Sequence, residues 1–461
     1  MSNFFVAVGG TGQMVALAYF RLAKLCGFKK SAYTYIMDSD IDGDVSQDLM
    51  QLLGEESIPV IKPIPRTDNI ETFRDIFSNS EYDDNIQPVL PLLFTTEELD
   101  THIRKGMYGR PPVGSTCLSV KMKNIENRQG SDMALSRLIT ALREGQTNNV
   151  VICGSLFGGT GAGGIPTLAK YIRREVGPGI KITIIDLLRW FWLPEQTHKS
   201  HDNMLKHNAE SGVCYLQDKI ADSVNACVLL GLEEPVERTY EEIGQQTEKI
   251  NFINLIAAII ANNSFNVAEY KSLFPNEHSI YSYVVPDNGL KASNIKVLMP
   301  IRNNTVKLHE IIMLSRAVEK FLGFFEKYIY SGPPGFSFTP SLAIPSKLII
   351  AIKRSSSEVT FNEVYDKVKE KREECHDMLE WFKNLRDSPV FETDHTEITG
   401  TKYQENLKYP MPFLRKWING IDDFGKGVNN AEEFVDQIIK QLRVTINEMF
   451  LNNKFGKMSF L

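Results

Sequence analysis

Phe157-Gly158-Gly159-Thr160-Gly161-Ala162-Gly163-Gly164 is the stretch that decides the fold of this 461-residue chain. A β-rich run, Asn149 to Gly154, leads into it, and a helical pattern, Ile165 to Arg174, leads out. Five glycines in seven positions, 158 to 164, give a phosphate close access to consecutive amides, and Thr160 adds a hydroxyl. A simple turn would not need so many glycines, because each costs conformational entropy. No lysine follows the last glycine, and Lys170 lies well inside the helix, which argues against a Walker loop.

Working outward, strands and helices alternate over the first 190 or so residues. Phe4 to Val8 reads as a strand that stops at Gly9-Gly10. Val15, Leu17, Ala18, Leu22 and Leu25 recur at helical spacing, and Gly27 ends that helix. Tyr33 to Met37 is a second buried strand. Ser131 reads as the N-cap of a helix over 132–144, and Lys181 to Leu188 is another strand. This pattern predicts an α/β fold, a Rossmann-like parallel sheet covered by helices on both faces. Residues 45–130 are broken by Pro59, Pro63, Pro65, Pro88, Pro91, Pro111 and Pro112, so short helices and long loops are expected there.

A second glycine turn, Gly9-Gly10-Thr11-Gly12-Gln13, directly follows the first strand and opens a helix. Its amides form a ready anion site at a helix N-terminus. Val15 stands where a dinucleotide fingerprint has its third glycine. A plain strand-to-helix turn accounts for this segment equally well.

Farther along, Phe252-Ile253 and Leu255 to Ile260 make a helix, 245–262, that is apolar on every side, as expected of a buried rod between two domains. Beyond it, Ile280 to Val285 and Lys347 to Ile352 read as strands. Lys307 to Tyr328, Phe361 to Arg386 and Asn430 to Met449 read as helices. The expected organisation is a nucleotide-binding domain over 1–243, a central core helix over 244–264, an α+β domain over 265–400 and a helical region over 401–461.

Hydrophobic residues make up 43% of the chain and charged residues 23%, enough apolar matter for ordinary cores. The net charge of −6 argues against a nucleic-acid partner. The apolar run at 252–261 is about half the ~20 residues a bilayer span needs, so no membrane insertion is expected. Six scattered cysteines without a CxxC pair read as reduced thiols in the cytoplasm. His198, His201, His207 and Cys214 fit no compact zinc spacing, so no metal ligands are assigned.

Gly158 to Gly163 resembles the glycine signature GGTG(S/A)G of the tubulin/FtsZ superfamily, with Phe157 in place of the usual small residue. The likeness runs in order over Ser131 to Leu188 and loosely over about the first 290 residues. It takes in Gly9 to Gln13, Asp38-Ser39-Asp40 and a stretch around His207-Asn208-Ala209. It implies a tubulin-like fold with GTP or GDP across the C-terminal edge of the sheet. Gly158, Gly159, Thr160, Gly161, Ala162 and Gly163 would hold the β and γ phosphates, and Gly9, Gly10, Thr11, Gly12 and Gln13 the α and β phosphates. Asp38 or Asp40 would hold Mg²⁺ through water, the alternative for Asp38 being a solvated turn. A third phosphate loop is expected within Gly106 to Gly114.

The resemblance departs in two places. A family asparagine that reads guanine falls at Leu232, leaving Asn251 and Asn254, with Phe252 nearby, to meet the base or to serve as structural hydrogen-bonders. The loop after the core helix is shorter and lacks its first aspartate, leaving Glu269 as the catalytic carboxylate, with an ordinary surface glutamate as the alternative. The resemblance implies a self-assembling cytoskeletal GTPase with nucleotide at a head-to-tail junction between copies, its hydrolysis slowed by the altered loop. Other readings are a non-polymerising nucleotide switch or scaffold and, more distantly, a Rossmann NAD-binding oxidoreductase. The tail, Lys454 to Leu461, is either a docking peptide for a protein partner or packs on the body.

Overall fold

The computed structural model describes residues 2–26, 33–39, 44–53, 58–64, 70–78, 88–126, 133–144, 148–193, 195–233, 235–237, 251–285, 295–299, 304–308, 361–386 and 429–437, with a few single positions besides. The chain divides into two compact units. The first comprises residues 1–24, 28–289 and 297–304, and the second comprises 25–27, 290–296 and 305–461.

The first unit is built on a seven-stranded sheet. Its strands are β1 (Ser2–Val8), β2 (Tyr33–Met37), β3 (Val60–Ile61), β4 (Asn148–Ser155), β5 (Lys181–Leu187), β7 (Ala226–Leu232) and β9 (Ser279–Val285), with order β3-β2-β1-β4-β5-β7-β9. Every pairing in it is parallel. A two-residue parallel pair, β6 (Phe191–Trp192) with β8 (Val236–Glu237), lies outside it. This is the α/β, Rossmann-like sheet that the alternating pattern predicts. Its first six strands follow the doubly wound order 3-2-1-4-5-6, whose direction of winding reverses between β1 and β4.

Both faces are covered, so the strands read as continuous apolar runs. One face carries α3 (Pro111–Glu126), α4 (Met133–Glu144), α5 (Gly159–Val176) and α6 (Glu195–Lys219). Leu118, Leu138, Leu168 and Leu216 from these helices join Val6, Ile152, Ile184 and Leu229 in one core. The other face carries α1 (Gly9–Cys26), where Tyr19 stacks on Phe5 with ring centroids 5.3 Å apart, and α7 (Phe252–Ser264), which lies against β4, β5 and β7.

Three features differ from the sequence reading. Helix α5 begins at Gly159, not Ile165, so most of the glycine run is helical. Pro111-Pro112 does not break a helix but starts the 16-residue α3, because the first turn needs no N–H donor there. The buried apolar helix is present, but it is not a rod between domains. After α7 and α8 (Val267–Leu273) the chain returns as β9 beside β7, so α7 is a crossover helix within one sheet. Ile280–Val285, expected in a second domain, is therefore part of this seventh strand. In the second unit, α9 (Phe361–Arg386) has the predicted bounds. Helix is also present at 431–437. Lys347–Ile352, most of Lys307–Tyr328, Ser131 and the tail lie outside the described residues.

Candidate functional site

Parallel strands deliver their C-terminal ends to one edge, and the turns after β1 and β4 meet there. A Cβ built on Gly9 would stand 3.4 Å from Thr160 Cβ and 3.5 Å from the Gly161 nitrogen. The two glycine turns, far apart in sequence, are thus in contact at the winding reversal, where open α/β sheets bind ligands.

Each turn starts a long helix. The N-cap of α5 is Gly158, which has no side chain to cap with, and the first helical hydrogen bond runs from Ala162 N to Gly158 O at 3.0 Å. The N–H groups of residues 158–161 therefore have no acceptor within the helix. Neither α1 nor α5 has an acidic residue in its first turn, so no carboxylate offsets the partial positive charge of these helix starts. Gly10 is exposed, and among the described residues no atom outside its own helix turn lies within 4 Å of where its Cβ would be. A phosphate fits this arrangement of open amides, absent acid and clear space.

The glycines of α5 answer to packing as well. Gly161 has the Ser155 carbonyl oxygen 2.5 Å from its Cβ position. Gly163 abuts the Pro111 carbonyl and Ser115 N, Gly114 the Gly159 carbonyl, and Gly159 has the Met107 oxygen at 2.7 Å and Arg110 N at 2.8 Å. Contrary to the expectation that a simple turn would not need so many glycines, packing itself calls for them, since α3 and α5 cross backbone to backbone. Gly12 likewise fits α1 onto the sheet, its Cβ position lying 2.5 Å from the Cys153 oxygen. Thr160 is buried, its side chain facing Gly9. Gly106 to Gly114, the expected third loop, adjoins the second through these contacts.

Asp38, at the end of β2, is only 5% exposed, so it is not a solvated turn residue. Its Oδ2 accepts from Gln13 Nε2 at 2.7 Å and its Oδ1 from Ser39 N at 2.8 Å, and Ser46 Oγ in turn donates to Gln13 Oε1. This chain ties β2 to α1 and α2 (Asp44–Leu53). Asp38 is thus held by α1 and by its own turn, with a second lone pair on each oxygen. Asp40 lies outside the described residues. Among the described residues, no three His, Cys, Asp or Glu side chains group as a metal site.

Because β7 and β9 are parallel, α7 starts at the glycine edge and runs to the opposite one. Asn251 caps it, its Oδ1 accepting from Ile253 N at 3.3 Å, while Asn254 Oδ1 accepts from Asn251 N at 2.9 Å. Both side-chain oxygens thus serve a capping box. The Asn254 Nδ2, wholly buried, has no hydrogen-bond partner among the described residues. Leu232 is a buried apolar residue that cannot read a base edge.

Glu269 does not join the glycine turns within this chain. It lies in the first turn of α8, whose cap Asn266 accepts from Ala268 N at 2.8 Å and Glu269 N at 3.1 Å. The next residue, Tyr270, has Lys181 Nζ 4.4 Å from its ring centroid, and Lys181 opens β5. Glu269 is therefore at the far edge of the sheet, about 23 Å away for a seven-residue strand.

Two features near the site were not read from sequence. Asp186, fully buried on β5, stands beside Gly154 and Leu229 in register. Among the described residues neither of its oxygens has a hydrogen-bond partner, and burial pushes its carboxyl far above the usual range. The signal was a lone acid in the apolar run Ile182-Thr183-Ile184-Ile185-Asp186-Leu187. The other is Asn208 on α6, whose Nδ2 reaches two loop carbonyls, Gly109 O at 2.6 Å and Phe157 O at 3.2 Å.

No protein-family model matches the sequence, and no curated protein does. Among solved structures the chain is similar to CetZ2 from Haloferax volcanii, described as a GTPgS-bound protofilament, with 17% sequence identity and a TM-score of 0.33. The match covers 60% of this chain and 62% of that one, so the chain spans less than two thirds of that structure. Among the described residues, no helix is long and apolar enough to cross a membrane.

Proposed function

We propose that this chain binds a nucleoside triphosphate across the C-terminal edge of its sheet, with phosphates on the amides that open α1 and α5. The contact of Gly9 with Thr160 and Gly161 carries this reading, because it brings two helix starts to one point at the winding reversal. Guanine as the base rests on the sequence resemblance, with half-buried Asn251 at the start of α7 as the residue left to meet it. Self-assembly head to tail follows from the same resemblance. Glu269 sits at the edge opposite the phosphate turns, so it acts on the nucleotide of a neighbouring copy and not on its own.

A dinucleotide reading draws on the same strand order. It needs a free carboxylate at the end of β2 for the ribose, and Asp38 is already engaged by Gln13 and Ser39. A switch or scaffold that never polymerises uses the same site and differs only in assembly.

The test is the purified full chain. Chromatography of the released nucleotide should find GTP or GDP, and recovered NAD would favour the dinucleotide reading. Gly161 is unsuitable for substitution, since any side chain there strikes Ser155. Gly10→Asp instead places a carboxylate in open space at the helix start and should weaken GTP binding about a hundredfold in the folded protein. Undiminished binding in that variant would refute the site. Sedimentation with GTP separates a polymer from a scaffold.

A further inference from the structure

We propose that Asn208 is a positioning residue for the phosphate site, clamping the turn at Met107–Arg110 to the entrance of the second glycine turn. This rests on the phosphate reading above. Met107 to Arg110 is a tight turn closed by Arg110 N donating to Met107 O at 2.9 Å. Its central residues, Tyr108 and Gly109, have φ of 47° and 68°, the left-handed pair of a type I′ turn. Tyrosine disfavours that conformation, so something outside the turn must hold it.

Contacts on both sides do so. On one side, the Cβ position of Gly159 has Met107 Cβ at 2.6 Å, Met107 O at 2.7 Å and Arg110 N at 2.8 Å. On the other is α6, with Met204 Cε 2.8 Å and Leu205 Cδ2 3.4 Å from the Cβ position of Gly109. The polar tie is Asn208. A primary amide has two N–H donors, and here one reaches Gly109 O and the other Phe157 O. Phe157 immediately precedes Gly158, and its ring packs edge-on against Phe191 with centroids 5.4 Å apart.

One amide thus sets the distance between the turn that abuts Gly159 and the residue that leads into it. Without the donor, Tyr108 relaxes toward ordinary φ. Met107 then moves against Gly159, and the open amides of 158–161 lose their alignment.

The experiment measures GTP affinity, chemical unfolding and amide hydrogen exchange in the full chain. Asn208→Asp is nearly isosteric but sets oxygens against both carbonyls. Asn208→Leu keeps the size, loses the donors and guards against a folding failure of the first variant. Both should weaken GTP binding at least tenfold and raise exchange at 107–110 and 158–161 while leaving β9 unchanged. Gly109→Ala attacks the same turn from the other partner, and its loss combined with Asn208→Asp should be well below the product of the two. Affinity within twofold of wild type, full additivity, or exchange raised evenly along the chain would each overturn the clamp. Wild-type protein that takes up no GTP would refute the phosphate site itself. Hydrogen exchange then decides the clamp alone: a local rise upholds the tie between the two loops, and no rise removes it.

Discussion

Gly159, Gly161, Gly163 and Gly164 sit against protein atoms, whereas Gly10, on the neighbouring turn, has among the described residues nothing outside its own helix turn within 4 Å of its Cβ position. The two turns meet at the same edge and start comparable helices, yet they use glycine differently. In the second turn glycine lets α5 lie on Ser155, α3 and Met37 without a gap. In the first, Gly12 packs on the Cys153 carbonyl in the same way, but Gly9 holds a left-handed φ of 69° and Gly10 leaves open space. Glycine density records backbone contact, and the sparser turn is the better marker of where a ligand has room.

The contrast can be broken most sharply by Gly161→Val. The carbonyl it meets is fixed backbone, so the variant should lose about 3 kcal/mol or more of stability, read as a fall in the urea midpoint. A loss below about 0.5 kcal/mol would mean the crossing has slack. Gly10→Asp should do the reverse. A hundredfold fall in GTP affinity is expected, equivalent to about 2.7 kcal/mol, with a urea midpoint matching wild type.

A smaller effect is expected just beneath the two turns, at Asp186. Its folded carboxyl lies far above the ordinary 3.8 because burial disfavours the charge. The folded state therefore holds the proton that the unfolded chain releases above about pH 4. Stability falls as pH rises from there toward the folded value. Asp186→Leu should raise stability at pH 8 by about 1 to 3 kcal/mol and flatten the slope between pH 5 and 8. A slope equal to that of wild type would show the carboxyl is not the source. Smallest of all is Glu269→Ala, at the edge away from both turns. Stability should change by less than about 0.5 kcal/mol and GTP affinity by less than twofold, while turnover in assembled protein drops. Unchanged turnover removes the residue from the chemistry.

The sheet was largely legible in the sequence, because strands covered on both faces are apolar runs bounded by glycine. Tyr33–Met37 has its predicted bounds, and Phe4–Val8 and Asn149–Gly154 fall inside the observed strands. The start of α5 was not legible, because glycine propensity favours a loop and only the tertiary crossing with α3 makes helix the better state there. Nor was the destination of Ile280–Val285, since apolar alternation fixes a strand but not its neighbour. At the site, the glycine turns could be picked out by composition. The Gln13–Asp38 pairing and the reach of Asn208 could not, because they join residues 25 and up to 99 positions apart through orientations that no local pattern encodes.

The uniform direction of the seven strands has an electrical consequence. The helices α1 and α5 begin at the same edge, so their dipoles add instead of cancelling. A protein of net charge −6 would repel polyanions from most of its surface, yet this one rim carries an attractive local field. Capture of an anionic ligand therefore has a preferred face of approach before any specific contact forms, and added salt should slow it.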